Sequence, residues 1–188
     1  MDRSYFSSID NLKEFTLPLR DGVLVDFRPV RPDDKETIQK GMLHLSIKSR
    51  NFRFFSPILK LSDAQLRDFT EIDQHNHVAW IALVHHGSEH RGIGIARFIR
   101  IQNQPAIAEF GVVVIDSYQH RGLGTLLLAV LDRMASIKGI EVLRGFVLAD
   151  NVVMRNWLGR LGAAEVCEID RYRMDLTVNG DLFSLMDW

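Results

Sequence analysis

A single cysteine in 188 residues excludes an intramolecular disulfide, and Cys167 therefore points to a reducing compartment. Long apolar runs are missing as well: nothing approaches the roughly 18 residues of a membrane span. Residues 1–20 lack the basic start and apolar stretch of a secretory leader. The expected location is the cytoplasm, with no membrane partner. Excess charge of either sign is also absent, since 23 basic residues face 24 acidic ones. The overall field therefore favours neither nucleic acid nor anionic lipid as a partner. There is no internal repeat, no low-complexity tract and no GxxxxGK[ST] phosphate loop, and a dinucleotide fingerprint would need a third glycine where Leu127 stands. His75, His77, His85, His86 and His90 crowd into one segment, but their spacing fits no complete ligand set and no cysteine lies nearby. They read as solvated loop histidines, and no metal is expected. Cys167 reads as a small apolar filler in a strand.

What remains is enough for one core: 46% of residues are hydrophobic and 25% charged, which suits a single domain without disulfide or metal. Residues 1–21 read as an N-terminal arm or short helix, 22–178 as the domain and 179–188 as a C-terminal tail. Strand patterns run over 23–30, 78–84, 93–101, 106–115, 142–148, 164–169 and 172–178, with 85–91 as an extended hairpin turn. Helical patterns cover about 33–46, 63–69, an amphipathic stretch after Gly122, and 151–161 ended by Gly162. Strands arriving in pairs, with helices at only some crossings, predict an α+β fold with a mixed, mostly antiparallel twisted sheet flanked by helices.

The most informative segment is the strand, loop and helix that contains Gln119, His120, Arg121, Gly122, Leu123, Gly124 and Thr125. Gly122 and Gly124 remove side chains where the chain turns into the helix, so successive amides can point at an anion while the helix dipole adds positive potential. The same glycines would also serve a plain strand-to-helix turn. Arg91, Gly92, Ile93 and Gly94 repeat the spelling but precede a strand, so they lack those amides.

The run from Gln119 to Gly124 resembles the Q/R-x-x-G-x-G/A pyrophosphate motif of the GNAT acyl-CoA N-acyltransferase superfamily. The resemblance extends over residues 22–178. It implies acetyl-CoA as cosubstrate, with Val112, Val113 and Val114 offering backbone to the acyl and pantetheine portions and Gln119 to Thr125 holding the pyrophosphate. Asn151 matches an asparagine near the pantetheine arm, and its chemistry equally suits a helix N-cap.

Glu109 lies in the apolar strand before this loop. An ammonium must lose a proton before it attacks a thioester, so a base is useful. Partial desolvation in that strand is expected to raise the proton affinity of Glu109. The bland reading sends Glu109 to solvent or pairs it with Arg97 or Arg100 across the sheet. Here Ala108, Glu109 and Phe110, the three valines and the glycine loop resemble the GNAT domain of bacterial protein lysine acetyltransferases, which implies Glu109 as general base and a protein lysine as acceptor. A small-molecule amine acetyltransferase and a noncatalytic acyl-CoA sensor are the alternatives. One departure stands out: where many relatives carry a tyrosine general acid, this chain has Leu158. The basic, aromatic segment 48–55 is placed either at the acceptor entrance or on an ordinary helix.

Overall fold

The computed structural model describes residues 4–86 and 89–185. In chain order it contains α1 (Ser4–Asp10), β1 (Phe15–Pro18), β2 (Leu24–Pro29), α2 (Lys35–Met42), α3 (Ile47–Phe54), α4 (Asp63–Thr70) and β3 (His77–His86). There follow β4 (Glu89–Ile101), β5 (Gln104–Val114), α5 (Leu123–Ile137), β6 (Val142–Leu148), α6 (Val152–Arg160), β7 (Ala164–Cys167) and β8 (Arg171–Thr177).

The strands form one eight-stranded sheet in the order β1-β2-β3-β4-β5-β6-β8-β7. Every neighbouring pair is antiparallel except β5 and β6, which run parallel because α5 carries the chain back across the sheet. This is the α+β arrangement expected from the sequence. Residues 78–84 of β3 are buried without interruption, the pattern of a central strand covered on both faces. Helix α5 covers one face and α2–α4 the other.

Helix α5 is apolar nearly all round because it is enclosed: Leu126, Leu127, Leu128, Val130 and Leu131 are all fully buried. Its one buried acid, Asp132, accepts the N–H groups of Asn179 and Leu182 at 3.1 Å each, which draws the C-terminal segment onto the helix. Phe183 is buried there; residues 186–188 of the expected tail lie outside the described residues. The N-terminal residues hold the short helix α1 and then β1. Strand β1 extends the sheet edge by pairing with β2, and Asp10 of α1 meets Arg133 of α5 at 2.6 Å.

Three local expectations are corrected. The helix expected over 33–46 stops at Met42, and Ser46 caps a new helix by accepting the Ser49 N–H at 3.1 Å, while its own N–H is held by Asp116 at 3.2 Å. The turn expected over 85–91 is shorter: His85 pairs with His90 and Val84 with Arg91, so β3 runs to His86 and β4 starts at Glu89, and residues 87 and 88 lie outside the described residues. Cys167 is no filler, because β7 is an edge strand and the thiol is exposed.

Candidate active site

The parallel pairing of β5 with β6 is short. It joins Ile107 to Val142, Ala108 to Leu143 and Glu109 to Arg144, and then ends. Beyond Glu109 the two strands separate, so residues 110–114 of β5 keep β4 on one edge and lack β6 on the other. Main-chain direction alternates along a strand. The Ile115 N–H donates to Ile93 at 3.0 Å, so the main-chain polar groups of Val112 and Val114 face the open edge. Val113 turns its side chain toward the α2–α4 face, beside Ile95.

The opening leads to the loop between β5 and α5. The first hydrogen bonds of the helix run from the N–H groups of Thr125 and Leu126 to the Gly122 carbonyl, both at 3.1 Å. The amides of His120, Arg121, Gly122, Leu123 and Gly124 make no hydrogen bond within the described residues. Gly122 has φ +89°, a left-handed conformation that L side chains adopt only with strain, and it aims these donors outward at the positive end of the helix. Such a row of free amides is suited to a phosphate or diphosphate.

The side chains of the loop mostly brace it. Gln119 Nε2 donates to the Val114 carbonyl at 3.1 Å and to Ser49 Oγ and Asp116 Oδ1 at 3.3 Å each, tying the loop to the end of β5 and to α3. Exposed His120 has φ +59°. Arg121 turns back to Asp21 at 2.5 Å and lies 4.3 Å from the Tyr118 ring. Leu123 is core, with 1% exposure. Thr125 Oγ1 accepts from Trp157 Nε1 at 3.1 Å, which joins α5 to α6 beside Gly124. At the far side of the opening Asn151 accepts the Met154 N–H at 3.3 Å, so its oxygen caps α6. Leu158, on the same helix, is fully buried.

Glu109 is the last residue of β5 that pairs with β6, at the root of the opening. Its register opposite Ile99, with Gly111 opposite Arg97, puts these four on one face of the sheet. A cleft of ≈ 310 Å³ lies over them, lined also by Arg53, Arg100 and Phe110. The expected desolvation of Glu109 is not met, since its side chain is exposed. Neither Arg97 nor Arg100 takes it as an ion-pair partner: Arg100 instead donates to the carbonyl of Lys138 and to Asn76 Oδ1, at 2.6 Å and 3.0 Å.

The histidines are likewise reassigned. His85 and His90 are strand residues at the hairpin, not loop residues, and His85 Nε2 lies 2.5 Å from Asp26 Oδ2, whose other oxygen accepts from Thr16 at 2.6 Å. His85, His90 and Asp26 bring ligand-capable atoms within 4.8 Å of one another, and the pairing satisfies an otherwise buried carboxylate. His77 sits half-buried on β3; burial, then the nearby Arg97 charge, lower its pKa to about 4 and keep it neutral at pH 7.

Sequence reasoning missed Arg97 and Arg53 as a pair, and Trp157. It also missed Arg20, whose side chain reaches within 3.6 Å of the Cβ position at Gly122. Arg53 lay within the segment placed either at the acceptor entrance or on an ordinary helix, and nothing in the spelling links α3 to β4.

The acetyltransferase (GNAT) domain family matches residues 25–164. The chain belongs to the GNAT acetyltransferase family. Enzymes of this family use acetyl-CoA, and the open strand edge with its row of free amides fits that molecule's elongated, diphosphate-bearing form. Acetyltransferase Pat of Mycolicibacterium smegmatis is 32% identical over 171 residues, which cover 89% of this chain and 50% of that protein. Acetyltransferase PA5475 of Pseudomonas aeruginosa is 33% identical over 144 residues, 77% of each chain. The crystal structure of the GNAT domain of S. lividans PAT superposes with a TM-score of 0.80 at 28% identity, covering 87% of this chain and 96% of that one. The chain thus spans about half the length of Pat, while nearly all of the S. lividans GNAT domain is matched. Among the described residues no helix is long and apolar enough to cross a membrane.

Proposed function

We propose that this acetyltransferase transfers the acetyl group of acetyl-CoA to the Nε amine of protein lysines by direct attack, with Glu109 as general base. The observation that carries the reading is the position of Glu109: it stands where the sheet begins to open, between the strand edge at Val112 and Val114 that β6 leaves unpaired and an open cleft able to admit an amine. The lysine acceptor rests on the sequence resemblance to bacterial protein lysine acetyltransferases.

In this reading the amides of residues 120–124 hold the diphosphate, and the outward main-chain groups of Val112 and the N–H of Val114, whose carbonyl is held by Gln119, align the pantetheine arm and polarise the thioester carbonyl. Asn151 retains its Nδ2 donor for that arm, since only its oxygen is used in the cap. Arg20 and Arg121 add positive charge beside the loop. Glu109, directly or through one water, takes a proton from the ammonium. The amine nitrogen then bonds to the carbonyl carbon, its second proton passes to water, the C–S bond breaks, and the electron pair leaves on the thiolate of CoA. With Leu158 in the core, that position supplies no acid, and thiolate release relies on water or needs no proton.

The test is mass spectrometry of folded acceptor proteins incubated with acetyl-CoA, with and without this protein. Enzyme-dependent acetylation of lysine Nε supports the reading. Turnover confined to small amines, or thioester binding with no transfer to any amine, rejects it.

A further inference from the structure

Arg53 and Arg97 stand apart from the arginines that pair with carboxylates on the sheet and its helices. Arg28, Arg133, Arg144 and Arg155 each close on a carboxylate at 2.6–2.8 Å, two-pronged in every case. Arg53 and Arg97 make no hydrogen bond or ion pair within the described residues, and Arg53 Nε and Arg97 Nη1 are buried without a partner. Both line the cleft that holds Glu109. Arg53 comes from α3 and lies flat over β5, with Nη2 only 2.8 Å from where a Cβ would stand at Gly111. Arg97 stands opposite Gly111 on β4 and is fixed over the Phe69 ring at 4.1 Å.

We propose that these two guanidinium groups form an anion subsite for a carboxylate carried next to the acceptor's reactive amine, so that the enzyme prefers lysines flanked by acidic residues. The inference rests on the reading of Glu109 as base and of this cleft as the acceptor's entrance. Leaving charged groups part-buried without partners is unfavourable. Burial, and then the like charge of Arg97, push the Arg53 pKa down to about 10, which shows the same conflict. Glu109 is the one carboxylate in a lining that also holds Arg53, Arg97 and Arg100, and Asp68 acts on Arg97 from nearby, so the cleft keeps a positive excess that an added carboxylate reduces. The planar guanidinium fork matches a carboxylate with two parallel hydrogen bonds. The same cations disfavour the ammonium form of an amine brought beside them, which assists its deprotonation by Glu109.

The carboxylate has two sources: an acidic side chain beside a protein lysine, or the carboxylate of a free amino acid. Lysine peptides that differ only in having Glu, Gln or Arg at the flanking positions are compared at saturating acetyl-CoA, along with free lysine and 1,5-diaminopentane. The comparison uses the wild type, Arg53→Gln and Arg97→Gln, each checked for acetyl-CoA binding by thermal shift. The expected kcat/KM order is Glu, Gln, Arg, with about a tenfold step from Glu to Gln, the least that a charge-assisted hydrogen bond contributes. Each variant removes most of that step while acetyl-CoA binding is kept. Calorimetry of the Nε-acetylated Glu and Gln peptides with CoA present gives the same comparison without turnover, so the subsite is decided even if no acceptor reacts and the proposed activity falls. A preference for free lysine over both the peptides and the diamine, lost in Arg53→Gln, keeps the subsite and rejects the protein acceptor. Equal handling of the three peptides with no preference for free lysine, or a Glu preference unchanged in both variants, overturns the inference.

Discussion

The half of the site assigned to acetyl-CoA is made of main chain, whereas the acceptor half is made of side chains carried by distant elements. The first runs from Val112 to Thr125 without a break: an open strand edge, a loop with Gly122 at φ +89°, and the free amides of α5. The second assembles Arg53 from α3, Arg97 from β4 and Glu109 from β5 around one cleft. A cosubstrate used throughout a family can be bound by groups that every residue owns, provided the backbone takes one shape. An acceptor is chosen by charge and volume, which side chains supply and sequences can change without disturbing the fold.

The largest effect separates chemistry from binding. Glu109→Gln keeps the shape and removes the base, so kcat is expected to fall by about 10²–10⁴-fold while the Kd for acetyl-CoA, measured by calorimetry, holds. An unchanged rate across pH in that variant removes Glu109 from the mechanism and erases the functional distinction between the halves.

The acceptor half also concentrates positive charge, and His77 senses it. Its pKa is held at about 4 against the ordinary 6.5, first by burial and then by Arg97. The unfolded chain therefore binds a proton on His77 at a pH where the folded chain does not. The contribution to stability is complete above pH 6.5 and is lost as the pH falls through 4. Wild type should lose about 2 kcal/mol over that window beyond what His77→Leu loses, read as diverging Tm values by calorimetry. Superimposable curves would mean that this face is neither as dry nor as cationic as its geometry implies.

The main-chain half was legible in the sequence because its shape demands particular residues. A left-handed Gly122 and a helix start directly after an apolar strand leave a spelling, and the strand, loop and α5 follow it closely. The acceptor half left no such trace. Arg53 reads as one more cation on a basic helix until α3 is folded against β5, and Arg97 reads as an outward strand residue until Phe69 closes over it. The histidines misled for the same reason: polar letters at 85–91 look like a turn, yet His85 is needed in the strand to reach buried Asp26. The early end of the helix at Met42 was hidden too, because Ser46 works as a cap only once Asp116 holds the corner.

Two glycine substitutions set the halves against each other with the same added methyl group. At Gly122, the alanine Cβ would make only ordinary contact with the Arg20 side chain, at 3.6 Å, but must hold φ +89°. The strain is about 1–2 kcal/mol, and the loop relaxes by turning its amides away from their common target. The Kd for acetyl-CoA should then rise about tenfold, with the acceptor KM little changed. At Gly111 the backbone is an ordinary strand and the obstacle is a side chain: the new Cβ would stand 2.8 Å from Arg53 Nη2 and 2.9 Å from its Cζ. The guanidinium must leave the strand, which raises the KM for a Glu-flanked peptide about threefold, smaller than the loss in Arg53→Gln because the charge remains nearby. Acetyl-CoA affinity should stay the same in that variant. If instead Gly111→Ala weakens acetyl-CoA and Gly122→Ala spares it, main chain and side chain have been assigned to the wrong substrates, and Arg53 belongs to the cofactor.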